Sequence, residues 1–188
     1  AAAIGKAALT NGVNNYNFTA GIVQLGSTAA ADAPAYLNLG SGTHSIGAFA
    51  KAYSGTVTGI LSIEMAAANI GGYSGNLDLT PFTYTCGTST ITFIASSGLK
   101  TITTNNKALY SLAFNGVNTQ WQLADNLTLK GSITLTNGAL LANSKNLILS
   151  GQDISTIDGN FTVANNSAFY DFSCSSTTGK QIKFAAGK

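Results

Sequence analysis

The chain has 188 residues, of which 45% are hydrophobic and 9% charged, with nine Lys, no Arg and seven acidic residues for a formal net charge of +2. Globular domains average roughly 25% charge, and disordered chains combine low hydrophobicity with high charge; this chain has neither feature and should fold, its polarity carried by Asn, Ser, Thr and Gly. The Lys are scattered from Lys6 to Lys188 and no guanidinium is present to fork onto phosphate, which excludes the clustered basic footprint of a nucleic-acid binder.

Read in chain order, Ala1 to Leu9 is a short helix or an extended arm, and Ala1-Ala2-Ala3 resembles the small-residue context near a cleavage site. The chain therefore reads as a processed form or a segment of something longer. No stretch reaches the roughly 20 apolar residues of a membrane helix: Asn11, Asn14, Asn15, Asn17 and Gln24 interrupt the uncharged run from Ala7 to Ala31. Candidate strands follow at Tyr16–Phe18, Ile22–Leu25, Tyr36–Leu39 and Ile46–Phe49, with a loop or linker from Ala29 to Pro34. A soft boundary near Ser54 to Thr58 divides an N-terminal assembly module, residues 1–54, from a repetitive β domain, residues 55–188. Ile63 to Ile70 is the second helix candidate, stopped by Gly71-Gly72.

From Thr90 onward short alternating segments dominate: Thr90–Phe93, Trp121–Leu123, Leu127–Leu129, Ile133–Leu135, Phe161–Val163 and Ile182–Phe184. Successive strand side chains point to opposite faces, so the apolar members line one surface. Leu147–Leu149 is apolar throughout and reads as buried on both faces. Thr90–Phe93, Ser111–Phe114 and Ser132–Leu135 start at an interval of 21, and the next step places Ile154 in phase. Apolar residues also recur every six or seven positions at Leu127, Ile133, Leu140, Leu147, Ile154 and Phe161. A period of roughly 20 residues with several strands per period is the signature of a β-solenoid, in which stacked turns share one core. The expected fold is thus all-β, a solenoid-like stack of short strands behind a less regular N-terminal β module, with a β-sandwich or jelly roll as the alternative. Asn and Thr at the corners would stack into side-chain ladders.

Reactive chemistry is thinly represented. His44 is the single histidine and no GxSxG elbow accompanies it, so it reads as a surface loop or strand residue. The carboxylates Asp125, Asp153, Asp158 and Asp171 do not follow the 21-residue phase, so stacking does not bring a glycosidase pair together, although Asp153 and Asp158 could meet across one corner. Cys86 and Cys174 form no CxxC motif and are either two free buried thiols or a disulfide closing a long loop. No metal or cofactor site is expected. Tyr16, Tyr36, Tyr73 and Trp121 are candidate contacts to glycan or protein, against core packing as the bland alternative.

From Leu77 to Ser150 the phrases Gly87–Phe93, Lys100–Lys107, Leu112–Val117, Trp121–Leu129 and Gly131–Gly138 resemble the Thr/Gly/Asn-rich repeats of bacteriophage virion proteins of the tail-fibre, head-fibre or decoration type. Similar runs occur in secreted bacterial surface proteins. The resemblance implies a non-enzymatic structural part of a virion surface that assembles as a homo-oligomer, a trimer or filament, and touches other virion proteins or a host glycan. An extracellular adhesin or filament subunit is the alternative, and a polysaccharide-degrading spike the remaining one. The segment from Ala1 to Gly40 does not match the pattern, and within it Ala1, Ala2, Ala3, Ile4 and Leu9 are the candidate assembly residues.

Overall fold

Segments rich in Ile, Leu, Thr, Phe and Tyr extend as strands because branched and aromatic side chains pack well on a pleated surface, and Gly and Asn end them. The computed structural model describes residues 7–10, 17–26, 34–56, 58–150, 155–159, 172–174 and 182–184, the first and the last three as backbone. Among these residues the chain is all-β, without helix. The first strands are β1 (Ala7–Thr10), β2 (Thr19–Leu25), β3 (Ala35–Asn38), β4 (Thr43–Lys51), β5 (Leu61–Glu64), β6 (Asn69–Tyr73) and β7 (Leu77–Asp78). The middle of the chain forms β8 (Thr83–Thr85), β9 (Thr90–Phe93), β10 (Gly98–Thr103), β11 (Ser111–Leu123), β12 (Leu127–Leu129) and β13 (Ile133–Leu141). It continues with β14 (Leu147–Leu149), β15 (Ser155–Gly159), β16 (Phe172–Cys174) and β17 (Ile182–Phe184).

Every pairing among the described strands is parallel. One sheet runs β1-β3-β5-β8, a second runs β2-β4-β6-β9-β11-β13-β15-β17 with β10 attached at β11 and β7 at β10, and a third runs β12-β14-β16. Parallel neighbours require a long return connection, and here each passage of the chain through the sheets supplies it. Thr19 faces Ser45 and Ala35 faces Leu61, both at an interval of 26. Ser111 faces Thr90 and Leu112 faces Ile133, both at an interval of 21.

The expected 21-residue phase therefore matches the pairing of β9, β11 and β13. It fails one step later: Ile133 pairs with Ile157 rather than with Ile154, whose own position lies outside the described residues, as does Phe161. The helix candidate Ile63–Ile70 is instead the end of β5 and the start of β6, joined by a turn in which Ala66 takes φ 48°. Tertiary pairing overrides its modest helical preference. Ala7–Thr10 is extended rather than helical, with Leu9 opposite Leu37.

Alternation appears directly in burial. Ala35 and Leu37 point inward while Tyr36 and Asn38 do not, and Leu61/Ile63, Ile91/Phe93 and Leu127/Leu129 repeat the pattern. Leu147 and Leu149 are buried but Ile148 is only half so, correcting the expectation of burial on both faces. The inward residues form one hydrophobic cluster from Leu25 to Leu149. That cluster crosses residue 54 without interruption, carried by the β3–β5 and β4–β6 pairings. Asn makes several corners: Asn105, Asn106, Asn118 and Asn143 all have φ between 51° and 60°, a left-handed conformation its short polar side chain tolerates. At Asn118 the long β11 turns, so that its start pairs β9 and its end pairs β10.

Candidate functional site

With the apolar side chains inside, the outward positions and the corners carry the molecule's chemistry. A recurrent device occupies the corners. A side-chain oxygen in one passage of the chain accepts a backbone N–H from a neighbouring passage. Asn17 Oδ1 accepts from Thr43 N at 2.8 Å, Asn76 Oδ1 from Thr101 N at 3.0 Å and Asn126 Oδ1 from Asn146 N at 3.0 Å. Ser111 Oγ accepts from Ser132 N at 3.0 Å. On the surface Asn137 Nδ2 donates to Asn115 Oδ1 at 2.6 Å, one rung of the expected Asn ladder. Each bond satisfies a corner group that the sheets leave over.

Two of these clamps use carboxylates. Asp125 Oδ1 accepts from Thr104 N and Thr104 Oγ1, each at 3.0 Å, and its Oδ2 accepts from Asn105 N. This candidate acid is consumed by a corner. On the outward face of the β3–β5 pair, the Tyr36 hydroxyl donates to Glu64 Oε2, and Asn38 Nδ2 donates to the same oxygen at 3.0 Å. The bond to Glu64 raises the Tyr36 phenol above its ordinary value, since ionising it would lose the bond and set two negative charges together.

Among the described aromatic contact candidates, Tyr36 alone is partly exposed. Tyr73 and Trp121 are corrected: both are wholly buried. Tyr73 stacks edge-on to Phe93 at 5.5 Å, and Trp121 lies 5.3 Å from Phe114 and 5.8 Å from Phe93. Tyr73 turns inward past a register shift that follows Ile70, and Trp121 follows the break in β11 that moves its inward phase from Leu112 and Phe114 to Thr119 and Leu123; a large ring there fills the interior. Tyr16 lies outside the described residues, as do Ala1, Ala2, Ala3 and Ile4.

His44 belongs to a strand, as expected, but it is buried, at 1% exposure. Its Nε2 donates to the Leu39 carbonyl at 2.9 Å and Phe18 packs on the ring at 4.4 Å. Nδ1 has no hydrogen-bond partner among the described residues. No group of three or more His, Cys, Asp and Glu that could hold a metal ion gathers among those residues. Cys86 is a free, buried thiol. Asp158 sits in β15 opposite Thr134, and Asp153 and Asp171 lie outside the described residues.

The exposed apolar side chains are the contact features that the sequence reading missed. Ile22, Ile60, Ile94, Leu99 and Val117 are between 41% and 66% exposed. Leu99 and Val117 line an open groove with Asn118 and Gln120. Ile94 lines a second with Phe18, Thr19 and Ser45. The signal of Ile22, Leu99 and Val117 was an apolar residue exposed within a strand, and that of Ile60 and Ile94 an apolar residue just outside one, next to Leu61 and Phe93; both are visible only once the inward phase is known. Shallow grooves of this kind suit contact with another surface rather than enclosure of a small molecule. Comparison with protein families, with curated proteins and with solved structures finds nothing that matches the chain.

Proposed function

We propose that this chain is a non-catalytic structural subunit, a β-solenoid that works as a rigid rod through shape and self-association on the surface of a phage particle, as a fibre or decoration protein. The observation that supports the reading is the uniform parallel pairing of strands from different passages of the chain. Successive passages of the chain each add a strand to one long sheet, flanked by a smaller parallel sheet early in the chain and another late in it; one hydrophobic cluster runs through them, and Asn, Ser and Asp side chains tie neighbouring passages at their corners. Stacking of this kind extends in one direction and makes each turn depend on its neighbours. The scarcity of charge, 9% of residues, fits such a stack, because like charges in register would repel. The resemblance of Leu77–Ser150 to virion repeat proteins supplies the virion in this proposal.

The test is electron microscopy of particles labelled with an antibody to the chain. Label distributed over capsid or tail supports the proposal. Label on the bacterial envelope and none on particles overturns the virion assignment in favour of an adhesin or extracellular filament. A fall in polysaccharide chain length on incubation with the purified chain overturns the non-catalytic reading.

A further inference from the structure

The largest sheet ends at β2 on one side and β17 on the other, and among the described residues β2 pairs with β4 alone and β17 with β15 alone. An open strand edge offers a row of unpaired N–H and C=O groups, and proteins ordinarily blunt it with charge, proline or a bulge. β2 reads Thr-Ala-Gly-Ile-Val-Gln-Leu, with none of these devices. It also holds Ile22 61% exposed.

A second observation concerns the glycines. At Gly47 an added Cβ would lie 2.2 Å from the Gly21 carbonyl oxygen, and at Gly75 it would lie 2.8 Å from that of Gly47. The Cβ would lie 2.2 Å from the Ala95 oxygen at Gly116 and 2.7 Å from the Gly116 oxygen at Gly138. Glycine stands at these places because the carbonyl of the preceding turn occupies the space of a side chain. Gly21 holds the corresponding position in β2, opposite Gly47 in the register of the β2–β4 pair, yet among the described residues nothing lies within 4 Å of its Cβ position. Glycine inside a strand weakens it relative to alanine, and no contact among the described residues requires a glycine at Gly21.

We propose that the free edge of β2 is a docking edge for a second copy of this chain, whose β17 end of the same sheet adds there in parallel, bringing a carbonyl against Gly21 as Gly21 presents one to Gly47. The inference rests on the self-associating role proposed above and names the surface that performs it. A second copy is the occupant because every described neighbour in this sheet is parallel, and the chain carries both halves of such a joint at opposite ends of one sheet. A head-to-tail contact of this type does not close and propagates as a filament.

The experiment is sedimentation velocity with negative-stain imaging of the 188-residue chain over a range of concentrations, alongside Gly21→Ala, Gly21→Val and Ile22→Lys. The unaltered chain should form rods of constant width and increasing length. The three variants should keep the monomer's circular dichroism and melting temperature and lose association by roughly tenfold or more, Gly21→Val more than Gly21→Ala. Rods that form equally well from Gly21→Val and Ile22→Lys would overturn this edge while leaving self-association standing. A chain that stays at 19.1 kDa at every concentration would overturn both, and particle labelling would still decide the virion role separately.

Discussion

The turns built from β2 to β6 and those built from β9 to β13 solve the same packing problem with different chain lengths. In the first region the interval between partners is 26, as from Thr43 to Asn69. In the second it is 21, as from Phe93 to Phe114. The regions differ in how many residues pass between paired positions. A parallel stack constrains what is paired and tolerates what connects the pairs. The shorter turns set one Phe over another, so that Phe93 and Phe114 stack at 5.0 Å with planes 14° apart, whereas Phe49 and Tyr73 meet tilted at 5.8 Å.

The largest effect expected from this contrast is at the ring cluster of the shorter turns. Trp121→Ala should cost about 4–5 kcal/mol in urea unfolding, against about 3 kcal/mol for Phe49→Ala in the longer turns. Trp121 touches two rings and Phe49 one. Trp121→Phe should recover most of the loss, because the indole N–H has no hydrogen-bond partner among the described residues to forfeit. Equal costs at Trp121 and Phe49 would mean that the two regions pack alike.

The seam between the regions is Tyr73, whose hydroxyl donates to the Asn76 carbonyl at 3.0 Å and accepts from Phe49 N at 3.2 Å. Burial pushes its phenol up from 10.0 to about 12, and burial raises Tyr84 as well. Above the unfolded value the unfolded chain has lost a proton that the folded chain keeps. Stability is therefore fully present below about pH 10 and falls as pH approaches 12, by about 2–3 kcal/mol for Tyr73. Urea midpoints across that range should show the slope, and Tyr73→Phe should reduce it to the part that Tyr84 contributes. An undiminished slope in that variant would place the titrating group elsewhere.

Corner clamps should separate the regions next. Asp125→Ala frees three donors in the shorter turns and should cost about 2 kcal/mol, while Asn17→Ala frees the single N–H of Thr43 and should cost about 0.5–1 kcal/mol. Thermal melts compare them directly. The smallest effect belongs to the exposed Asn115–Asn137 rung. Asn137→Ala should shift stability by no more than about 0.5 kcal/mol, and a larger loss would show that the ladder is cooperative.

These two regions also mark how far the sequence could be read. The shorter interval was legible because its turns repeat whole phrases, Thr90–Phe93 over Ser111–Phe114. The longer interval was not, because its turns share only a phase of alternation, as in Ala35-Tyr36-Leu37 over Leu61-Ser62-Ile63. The corner clamps were legible only as an excess of Asn and Thr, since which oxygen meets which N–H depends on the register between distant passages, as from Asn17 to Thr43 or from Asn126 to Asn146. The edge at Gly21 gave no signal of its own, one glycine among 21.

What the sequence determined by itself was the strand content and the sharing of faces, because side-chain alternation is local and has a period of two. It could not place the register shifts after Ile70 and after Asn115 that turn Tyr73 and Trp121 inward, and so both read as surface contacts. Nor could it choose between β5–β6 and a helix at Ile63–Ile70, or set the slip that brings Ile157 rather than Ile154 against Ile133. Those were decided by tertiary structure, because a parallel strand takes its register and its inward side from a partner in another passage of the chain, and no local preference carries that information.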